Sequence, residues 1–281
     1  MPRFTQLISI IVPTYNSAEV LVRLLESIKK QDFADCEVVI NDDPRTNDDT
    51  ENVVTRFLLD GLRVKLLKEN RSRAQARNVA AGIATGDCLL ILDSDMELGE
   101  GLLSECAEMV EQGLEAMVIP EESFGSTFWA RCRWFEKKCY EGVEEIEALR
   151  FVKAEVFRES GGYTDELIHR EDKDLDLRVR QKASRVGRTR SYIYHNEGAL
   201  RLLDAARKKA YYAETAHLYA ARQPEAFGWE TNVFNRYFLF VKDPRMVIRH
   251  PLLLLGLLVL KTSEFLAAGL VFLRQKIRGH A

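Results

Sequence analysis

The chain has 281 residues and a formal net charge of −3; 46% of its residues are hydrophobic and 30% are charged. This composition is typical of a globular protein and excludes a disordered, collagenous or disulfide-scaffold chain. The near-neutral charge argues against nucleic acid as a partner. The charge is uneven, because residues 242–281 carry seven Lys or Arg against two Asp or Glu. A basic segment attached to an acidic body favours a second role near an anionic surface.

The cysteines and the N-terminal residues indicate the cellular compartment in which the protein is expected. Five cysteines without a C-x-x-C pair fit neither a disulfide framework nor a zinc ribbon, and reduced thiols indicate a cytosolic protein. The first six residues, MPRFTQ, lead directly into a strand-like segment, so we expect no signal peptide. The catalytic part is therefore expected in the cytoplasm.

The first 120 residues alternate strand and helix patterns. The predicted elements, in chain order, are a strand at Leu7–Val12 closed by Pro13, a helix at Asn16–Lys30, a strand at Glu37–Ile40, a helix at Glu51–Leu59, a strand at Arg63–Leu67, a helix at Arg73–Ala84, a strand at Cys88–Leu92, a helix at Leu102–Gln112 and a strand at Ala116–Ile119. This alternation predicts an α/β fold with a parallel sheet covered by helices on both faces. Ligands of such sheets bind at the carboxyl ends of strands, so the loops after Val12, Ile40 and Leu92 are the candidate site.

Beyond Pro120 the alternation lapses. The predicted elements there are an aromatic and basic stretch at Glu121–Leu149, a helix at Asp172–Ser184, a short strand at Arg190–Tyr194 and a long helix at Ala199–Ala221. The aromatic and basic residues of Phe128–Tyr140, among them Trp134, fit either ordinary core packing or a membrane-facing patch.

Three groups of polar residues are the candidates for chemistry. Asp93 and Asp95 directly follow a predicted strand and suit Mg²⁺ or Mn²⁺ holding a diphosphate, although a capped loop explains them too. Asp42 and Asp43 close another strand, where carboxylates can accept hydrogen bonds from a nucleobase and a ribose; a solvated turn is the alternative.

The third group lies in the second half of the chain. Glu171 and Asp172 open a helix, where acids are expected from the helix dipole alone, and where one acid can also serve as a general base. His195 ends a predicted strand and can complete the coordination of a metal held by Asp residues, although a lone His is more often structural.

In their order and spacing these motifs closely resemble the family 2 inverting glycosyltransferases of GT-A fold, and the resemblance extends roughly from Leu7 to Glu197. The motifs that carry it are, in order, Pro13-Thr14-Tyr15-Asn16, the Asp42-Asp43 pair, Ala76-Arg77-Asn78, Asp93-Ser94-Asp95, Gly161-Gly162-Tyr163, Glu171-Asp172 and His195. The resemblance implies a Rossmann-like mixed sheet flanked by helices. It also implies a metal-dependent transfer of a sugar from a GDP- or UDP-sugar donor.

The resemblance implies a role for each matching residue. The nucleotide-binding residues would be Pro13, Tyr15, Asp42, Asp43, Arg77, Asp93 and Ser94. Asp95 and His195 would hold Mn²⁺ or Mg²⁺, and Asp172 would be the catalytic base. The acceptor-side and auxiliary residues would be Glu171, Arg150 and Trp134. For Arg77 the alternative is a structural bridge between a helix and a loop.

The chain departs from the family pattern in one place. Pro44-Arg45-Thr46 follows the Asp pair, where Gly-Ser-Thr is usual, which leaves the choice between uridine and guanosine open. No Q-x-x-R-W signature follows Asp172, so a processive polysaccharide synthase is not expected.

Pro251–Leu273 is the most apolar stretch, and its 23 residues are long enough to span a bilayer. Lys261 and Glu264 lie near its middle, where charged side chains are costly. The stretch therefore fits two short helices broken near these charges, a single tilted span in which the pair neutralises itself, or a buried hairpin of a soluble protein. The basic residues that flank it are Lys242, Arg245, Arg249, Arg274, Lys276 and Arg278.

We expect three parts: a GT-A catalytic domain at 1–198, amphipathic helices at 199–250 and a membrane-associated segment at 251–281. The leading hypothesis is transfer to a hydroxyl of a lipid-linked saccharide or glycolipid. A polyprenyl-phosphate sugar synthase is the first alternative, and a catalytically silent nucleotide-sugar-binding membrane protein is the second.

Overall fold

The computed structural model of the chain describes residues 6–69 and 71–277. They form two compact units. The first, called the strand unit, comprises the residues up to Pro120 together with Ala148–Asp165 and Glu171–His195. The second, called the helical unit, comprises Glu121–Glu147, Glu166–Arg170 and the residues from Asn196 onward. This division differs from the predicted boundary at 198, because Glu121–Glu147 belongs with the C-terminal helices. No signal peptide was expected at the N-terminus, but residues 1–5 lie outside the described part of the chain.

The elements of the strand unit follow the predicted order closely. They are β1 (Ile8–Thr14), α1 (Ala18–Lys29), β2 (Cys36–Asp42), α2 (Thr50–Leu59), β3 (Val64–Lys68), α3 (Arg73–Ile83), β4 (Cys88–Ile91), β5 (Met96–Leu98), α4 (Leu102–Glu111) and β6 (Ala116–Val118). After β7 (Glu121–Phe124) and α5 (Phe128–Tyr140) of the helical unit come β8 (Phe151–Lys153), α6 (Ala154–Glu159), α7 (Glu171–Lys182), β9 (Val186–Arg188) and β10 (Ile193–Asn196).

Seven strands form one mixed sheet in the order β3-β2-β1-β4-β8-β6-β9. The first four are mutually parallel, whereas β8 is antiparallel to both β4 and β6. The alternation of strand and helix alone predicted a parallel sheet. The antiparallel β8 makes the sheet mixed, as the resemblance implied.

The sheet is covered on both faces because side chains of each strand point alternately to opposite sides. Ile8, Ile10 and Val12 of β1 pack into a core with α1, α2 and α4, and Ile11 packs into a second core with α3 and α7. The continuous apolar run of β1 is thus explained by burial on both faces. The strand continues past Pro13, which was predicted to close it, and ends at Thr14.

Strand β10 begins three residues later than predicted and includes His195. The backbone amides of Arg190 and Ser191 donate to the carboxylate of Glu105, at 2.8 and 2.9 Å, so these residues are held by a side chain before the strand begins. Strand β10 then pairs antiparallel with β5, and His195 lies opposite Met96.

The helical unit contains β7, α5 and the helices after β10. These are α8 (Leu202–Ala213), α9 (Ala216–Arg222), α10 (Pro224–Thr231), α11 (Val233–Val241), α12 (Pro244–Arg249) and α13 (Pro251–Ile277). The single helix predicted over Ala199–Ala221 is therefore two helices. The break falls at Glu214 and Thr215, and Thr215 precedes α9 without a capping hydrogen bond from its side chain.

Helix α13 is continuous, so the break near Lys261 and Glu264 that a hairpin requires is not found among its described residues. Lys261 instead lies 2.6 Å from Glu264 and 2.9 Å from Glu136, and Arg133 lies 2.6 Å from Glu264. Two cations and two carboxylates of α5 and α13 thus neutralise one another inside the helical unit. This network explains how a largely apolar helix accommodates two charges.

The remaining apolar side chains of α13 divide between two faces. Leu253, Leu257 and Leu260 are buried in a core with Phe135 of α5. Side chains on the other face are exposed, among them Leu252, Leu255, Val259, Leu266 and Leu270. Among the described residues, one stretch, Pro251–Arg274, has the length and composition to cross a membrane. Of the predicted basic flank, Arg278 and the side chain of Lys276 lie outside the described part of the chain.

Candidate active site

Three polar loops meet at one edge of the sheet because β1, β2 and β4 are parallel neighbours. Thr14 at the end of β1 lies opposite Asp42 at the end of β2, and Ile11 lies opposite Ile91 of β4. Arg150, which directly precedes β8, also lies at this edge, because β8 runs antiparallel to β4. The backbone amide of Ile91 donates to the carbonyl of Arg150 at 2.8 Å. The structure thus brings the candidate residues of these strands to one edge of the sheet, where ligands of such sheets bind.

Asp42 joins the loops that follow β1 and β2. Its carboxylate accepts hydrogen bonds from the hydroxyls of Thr14 and Thr46, each at 2.8 Å. Burial raises the pKa of Asp42 above its usual value, although these hydrogen bonds oppose the shift. The side chain is thus committed to holding the two loops together.

Asp43 is held by a residue that departs from the family pattern. Arg45 contacts its carboxylate through Nη2 at 2.6 Å and through Nε and the backbone amide, each at 2.9 Å. These hydrogen bonds from Arg45 lower the pKa of Asp43. The Arg45 guanidinium also lies 5.6 Å from the ring centre of Tyr15, which is 55% exposed. Arg45 therefore links two predicted nucleotide-binding residues and was not itself predicted as a site residue.

Arg77 is the centre of a buried ion-pair network. Its guanidinium, 1% exposed, donates to Asp93 at 2.5 Å and to Glu171 at 3.0 Å. Arg150 lies 3.8 Å from the second Asp93 oxygen. The alternative named for Arg77, a bridge from a helix to a loop, describes these contacts, and its role at the nucleotide stays a prediction. Glu171 and Arg150 are likewise engaged in this network.

The pKa values of the two acids in this network, Asp93 and Glu171, are shifted in opposite directions. Burial alone raises the pKa of Asp93, but Arg77 and Arg150 hold it well below its usual range. Burial raises the pKa of Glu171, and the charge of Arg77 only partly opposes this. Asp93 is therefore firmly ionised beside two guanidinium groups.

Tyr163 lies beneath Arg77 and was named in the sequence only as part of a motif. The guanidinium lies 5.1 Å from its ring centre, and burial raises the pKa of Tyr163 to about 12. The side chain of Asn78 holds Tyr163 in place: Nδ2 of Asn78 donates to the Tyr163 carbonyl, and Oδ1 accepts from the Tyr163 amide, each at 2.8 Å. Gly162 precedes it with φ of +64°, and a Cβ there would lie 2.7 Å from Asn78 Oδ1, so the turn requires glycine.

Asp95 and His195 lie together, as the family resemblance implied. Their atoms Oδ2 and Nε2 are 3.3 Å apart, because His195 is paired across β10 and β5 with Met96, the residue after Asp95. Asp95 Oδ1 is buried and has no hydrogen-bond partner among the described residues. A buried carboxylate oxygen without a donor is a group that a cation would satisfy.

These two residues fit a divalent cation that takes its remaining ligands from a substrate. In the part of the chain that the structure describes, no three His, Cys, Asp or Glu side chains gather into a metal-binding group. Mg²⁺ is commonly bound through one or two carboxylates together with substrate phosphates, so a site with few protein ligands is sufficient. Asp95 is the candidate principal ligand and His195 the candidate neighbour.

Asp172 lies in the first turn of α7 and is partly exposed. Its Oδ1 accepts from the amide of Lys173 at 2.8 Å. Its neighbour Glu171 is buried against Arg77, whereas Asp172 retains access to solvent. Of the two adjacent acids, Asp172 is thus the more accessible one.

The other predicted residues have these positions. Pro13 lies within β1, and the Ser94 hydroxyl lies 3.0 Å from the hydroxyl of Ser17 at the start of α1. Trp134 belongs to the helical unit, where its ring meets His250 edge-on with 5.5 Å between centres. Phe135 and Tyr140 are buried in the core of the helical unit, which favours core packing over a membrane-facing patch for the Phe128–Tyr140 stretch.

Comparisons with known proteins agree with this architecture. Residues 9–165 match the family described as "Glycosyl transferase family 2". Glycosyltransferase GlyG of Streptococcus pneumoniae is 33% identical over 117 residues, which are 41% of this chain and 38% of that protein. The GalNAc(5)-diNAcBac-PP-undecaprenol beta-1,3-glucosyltransferase of Campylobacter jejuni is 36% identical over 109 residues, which are 38% of this chain and 35% of that protein. The match thus spans little more than a third of these curated relatives.

Solved structures share the fold over nearly the whole chain. The mannosyltransferase PcManGT of Pyrobaculum calidifontis, solved with GDP-Man and Mn²⁺, has a TM-score of 0.64 at 18% identity over 96% of this chain and 88% of its own. Residues 1–349 of TarS of S. aureus, solved with UDP-GlcNAc, give a TM-score of 0.58 at 18% identity over 97% of this chain and 92% of that one. With the predicted alternation of strands and helices, the Asp-rich edge and the matched segment in agreement, the chain belongs to glycosyl transferase family 2 and has the GT-A architecture.

Proposed function

We propose that the protein is a metal-dependent inverting glycosyltransferase that moves a sugar from a nucleotide-diphosphate donor to a hydroxyl of a lipid-linked saccharide or glycolipid. The observation that carries the proposal is the pair of Asp95 and His195, 3.3 Å apart beside an Asp95 oxygen that lacks a donor among the described residues. The solved relatives described above with GDP-Man and Mn²⁺ or with UDP-GlcNAc support the same class of donor.

The residues at the sheet edge have distinct proposed tasks. Tyr15 and Asp43 contact the nucleoside, and Asp95 with His195 holds Mn²⁺ or Mg²⁺. The ion, when bound, supplies positive charge that stabilises the departing diphosphate. Arg77 keeps Asp93 ionised and fixed at 2.5 Å, so that this edge is ordered before the donor binds.

Asp172 is the proposed general base. It would accept the proton of the acceptor hydroxyl as the oxygen attacks the anomeric carbon from the face opposite the diphosphate, which inverts the configuration. Its partly exposed position in the first turn of α7 supports this role, whereas the buried contacts of Glu171 with Arg77 do not suit that residue for it. A base of this kind contributes roughly 10²–10⁴-fold to the rate.

Membrane association belongs to the same proposal. The exposed apolar side chains of α13 and the basic side chains of Lys242, Arg245 and Arg249 before it would place the protein on the cytoplasmic face of a membrane. The named acceptor of the Campylobacter relative, an undecaprenol-linked saccharide, supports a lipid-borne acceptor.

The test is donor turnover with Mn²⁺ in wild type and in Asp172→Asn. We expect turnover by wild type and a loss of roughly 10²–10⁴-fold in the variant with a hydroxyl acceptor. A mild loss instead favours an already ionised lipid phosphate as acceptor, and hence a polyprenyl-phosphate sugar synthase. No turnover in wild type with nucleotide still bound favours the silent binding protein. Asp60→Asn, at an exposed acid after α2, is the matched control and should keep full activity.

A further inference from the structure

A cavity of about 570 Å³ lies inside the helical unit, and all its lining residues fall outside the segment that matches the family. Its wall is built by α8, α9, α10, α11 and α13 and by the two residues His169 and Arg170 that precede α7. The volume lies in the range of small-molecule sites. None of the tasks proposed for the sheet edge uses this cavity.

The wall of the cavity carries more positive than negative charge. Its cations are Arg170, Lys209, Arg236 and Lys261, and its carboxylates are Glu230 and Glu264. Arg170 is matched by Glu230 at 2.6 Å, and Lys261 is matched by Glu264 at 2.6 Å. Within the described residues, neither Lys209 nor Arg236 forms an ion pair with a carboxylate. Two basic side chains of the wall are therefore available to bind an anion.

Lys209 is the cation with the most to gain from such an anion. Its Nζ lies 3.2 Å from Nε2 of His169, whose ring is stacked on Tyr212 with 4.7 Å between centres. Burial, reinforced by the charges of Lys261 and Arg170, lowers the pKa of Lys209 to about 7. The Lys209 ammonium has three N–H donors, and the His169 imidazole accepts at most one of them. An anionic oxygen in the cavity would accept from the remaining donors and would stabilise the charged form of Lys209.

The cavity wall changes from charged to apolar along α13. Lys261 and Glu264 line it first, and Phe265, Ala268 and Phe272 follow on the same side of the helix. At 1.5 Å per residue, the distance from Lys261 to Phe272 is about 16 Å along the axis. A ligand with an anionic head and an apolar chain matches this order, whereas a free anion would leave the apolar part without a partner.

We propose that this cavity binds a lipid phosphate, with the phosphate oxygens on Lys209 and Arg236 and the first part of the apolar chain along Phe265 and Phe272. The inference rests on the proposed function in one respect: the lipid phosphate would belong to the acceptor. The segment that supplies His169 and Arg170 continues directly into Glu171 and Asp172, so the chain that lines the cavity also carries the proposed base.

The test measures binding of farnesyl diphosphate, a short soluble lipid phosphate, to the full chain by calorimetry. We expect Lys209→Met to weaken binding tenfold or more, because a hydrogen bond to a charged group is lost. Lys208→Met is the matched control, since Lys208 is exposed on the same helix, and its binding should stay within twofold of wild type. Ala268→Trp, which fills the apolar part without changing charge, should weaken binding as well.

Folding is checked separately in these variants. Removing a poorly solvated ammonium should leave Lys209→Met at least as heat-stable as wild type, so weakened binding in a variant with that stability reports on the cavity. Equal affinity of wild type and Lys209→Met overturns the inference. If inorganic pyrophosphate binds as tightly as farnesyl diphosphate, the inference is overturned in favour of a site for free phosphates. If farnesol binds as tightly, the inference is overturned because the phosphate then contributes nothing to binding.

Two further outcomes separate this inference from the proposed function. Donor turnover that persists while farnesyl diphosphate fails to bind overturns the lipid-phosphate site alone. Absence of nucleotide-sugar binding while farnesyl diphosphate binds through Lys209 overturns the transferase proposal alone, and leaves the cavity as a lipid-phosphate site.

Discussion

The Arg77 network predicts a pH-dependent stability defect that can be worked out from its contacts. Replacing Arg77 by Met leaves two carboxylates near one another, Asp93 with Arg150 at 3.8 Å and Glu171 with Arg73 at 3.8 Å. Removing one member of a buried ion pair costs about 3–5 kcal/mol, because the remaining charges lose their partner. At roughly 2–4 °C per kcal/mol, Tm should fall by about 6–20 °C near neutral pH.

The sign of the pH dependence follows from the pKa directions. In wild type, the lowered pKa of Asp93 contributes stability that is present above pH 4 and is lost as pH falls. Without Arg77, burial is opposed by fewer charges, so the pKa of Asp93 and that of Glu171 should both be higher than in wild type. An acid with a raised folded pKa loses stability as pH rises from its unfolded value of about 4 towards the folded one. The deficit of Arg77→Met relative to wild type should therefore grow between pH 5 and pH 8.

The assay is urea unfolding of wild type and variant at pH 5, 6.5 and 8. Arg73→Met is the matched control, since its side chain is 46% exposed and an exposed ion pair is worth about 0–1 kcal/mol. A variant that equals wild type at pH 8, or one whose deficit is the same at pH 5 and pH 8, would refute the electrostatic explanation.

Three further predictions concern the other parts of the molecule. Arg45→Ser should release the Asp43 carboxylate and raise the affinity for UDP or GDP several-fold in calorimetry; unchanged affinity for both would mean that Asp43 does not face the nucleoside. Lys261→Met should lower Tm by an amount corresponding to about 3–5 kcal/mol, because Glu136 and Glu264 lose a cation, and a neutral result in thermal melts would contradict the network. Leu266→Asp on the exposed face of α13 should reduce co-sedimentation with anionic vesicles, and undiminished co-sedimentation would show that this face is not the membrane contact.

Local patterns were sufficient to predict the parallel strands of the sheet. The apolar, β-branched run of β1 and the acids directly after β2 and β4 carry their own information, because burial on both faces and strand-end loops follow from short segments. The meeting of Asp95 with His195 depended on order and spacing over a hundred residues. It came from the family resemblance, and the pairing of β5 with β10 now gives its physical reason.

Long-range partners were the part that the sequence left undetermined. Nothing near Lys261 or Glu264 in the chain indicates Arg133 and Glu136, so a continuous α13 was only one of the readings. The late start of β10 likewise depends on Glu105, a residue about 85 positions away. Arg45 is the exception, because it lies two residues from Asp43 and its proximity could have been read directly.

The central claim is tested most directly by calorimetric binding of UDP and GDP to wild type and Asp95→Asn, each with Mn²⁺ and with chelator. We expect at least one nucleotide to bind wild type tightly with Mn²⁺, at least tenfold more weakly with chelator, and at that weaker level in the variant with or without the ion, because the carboxylate that holds the cation is gone. Binding that is equally tight with chelator, or equally tight in Asp95→Asn with Mn²⁺, would contradict a cation held at this edge of the sheet.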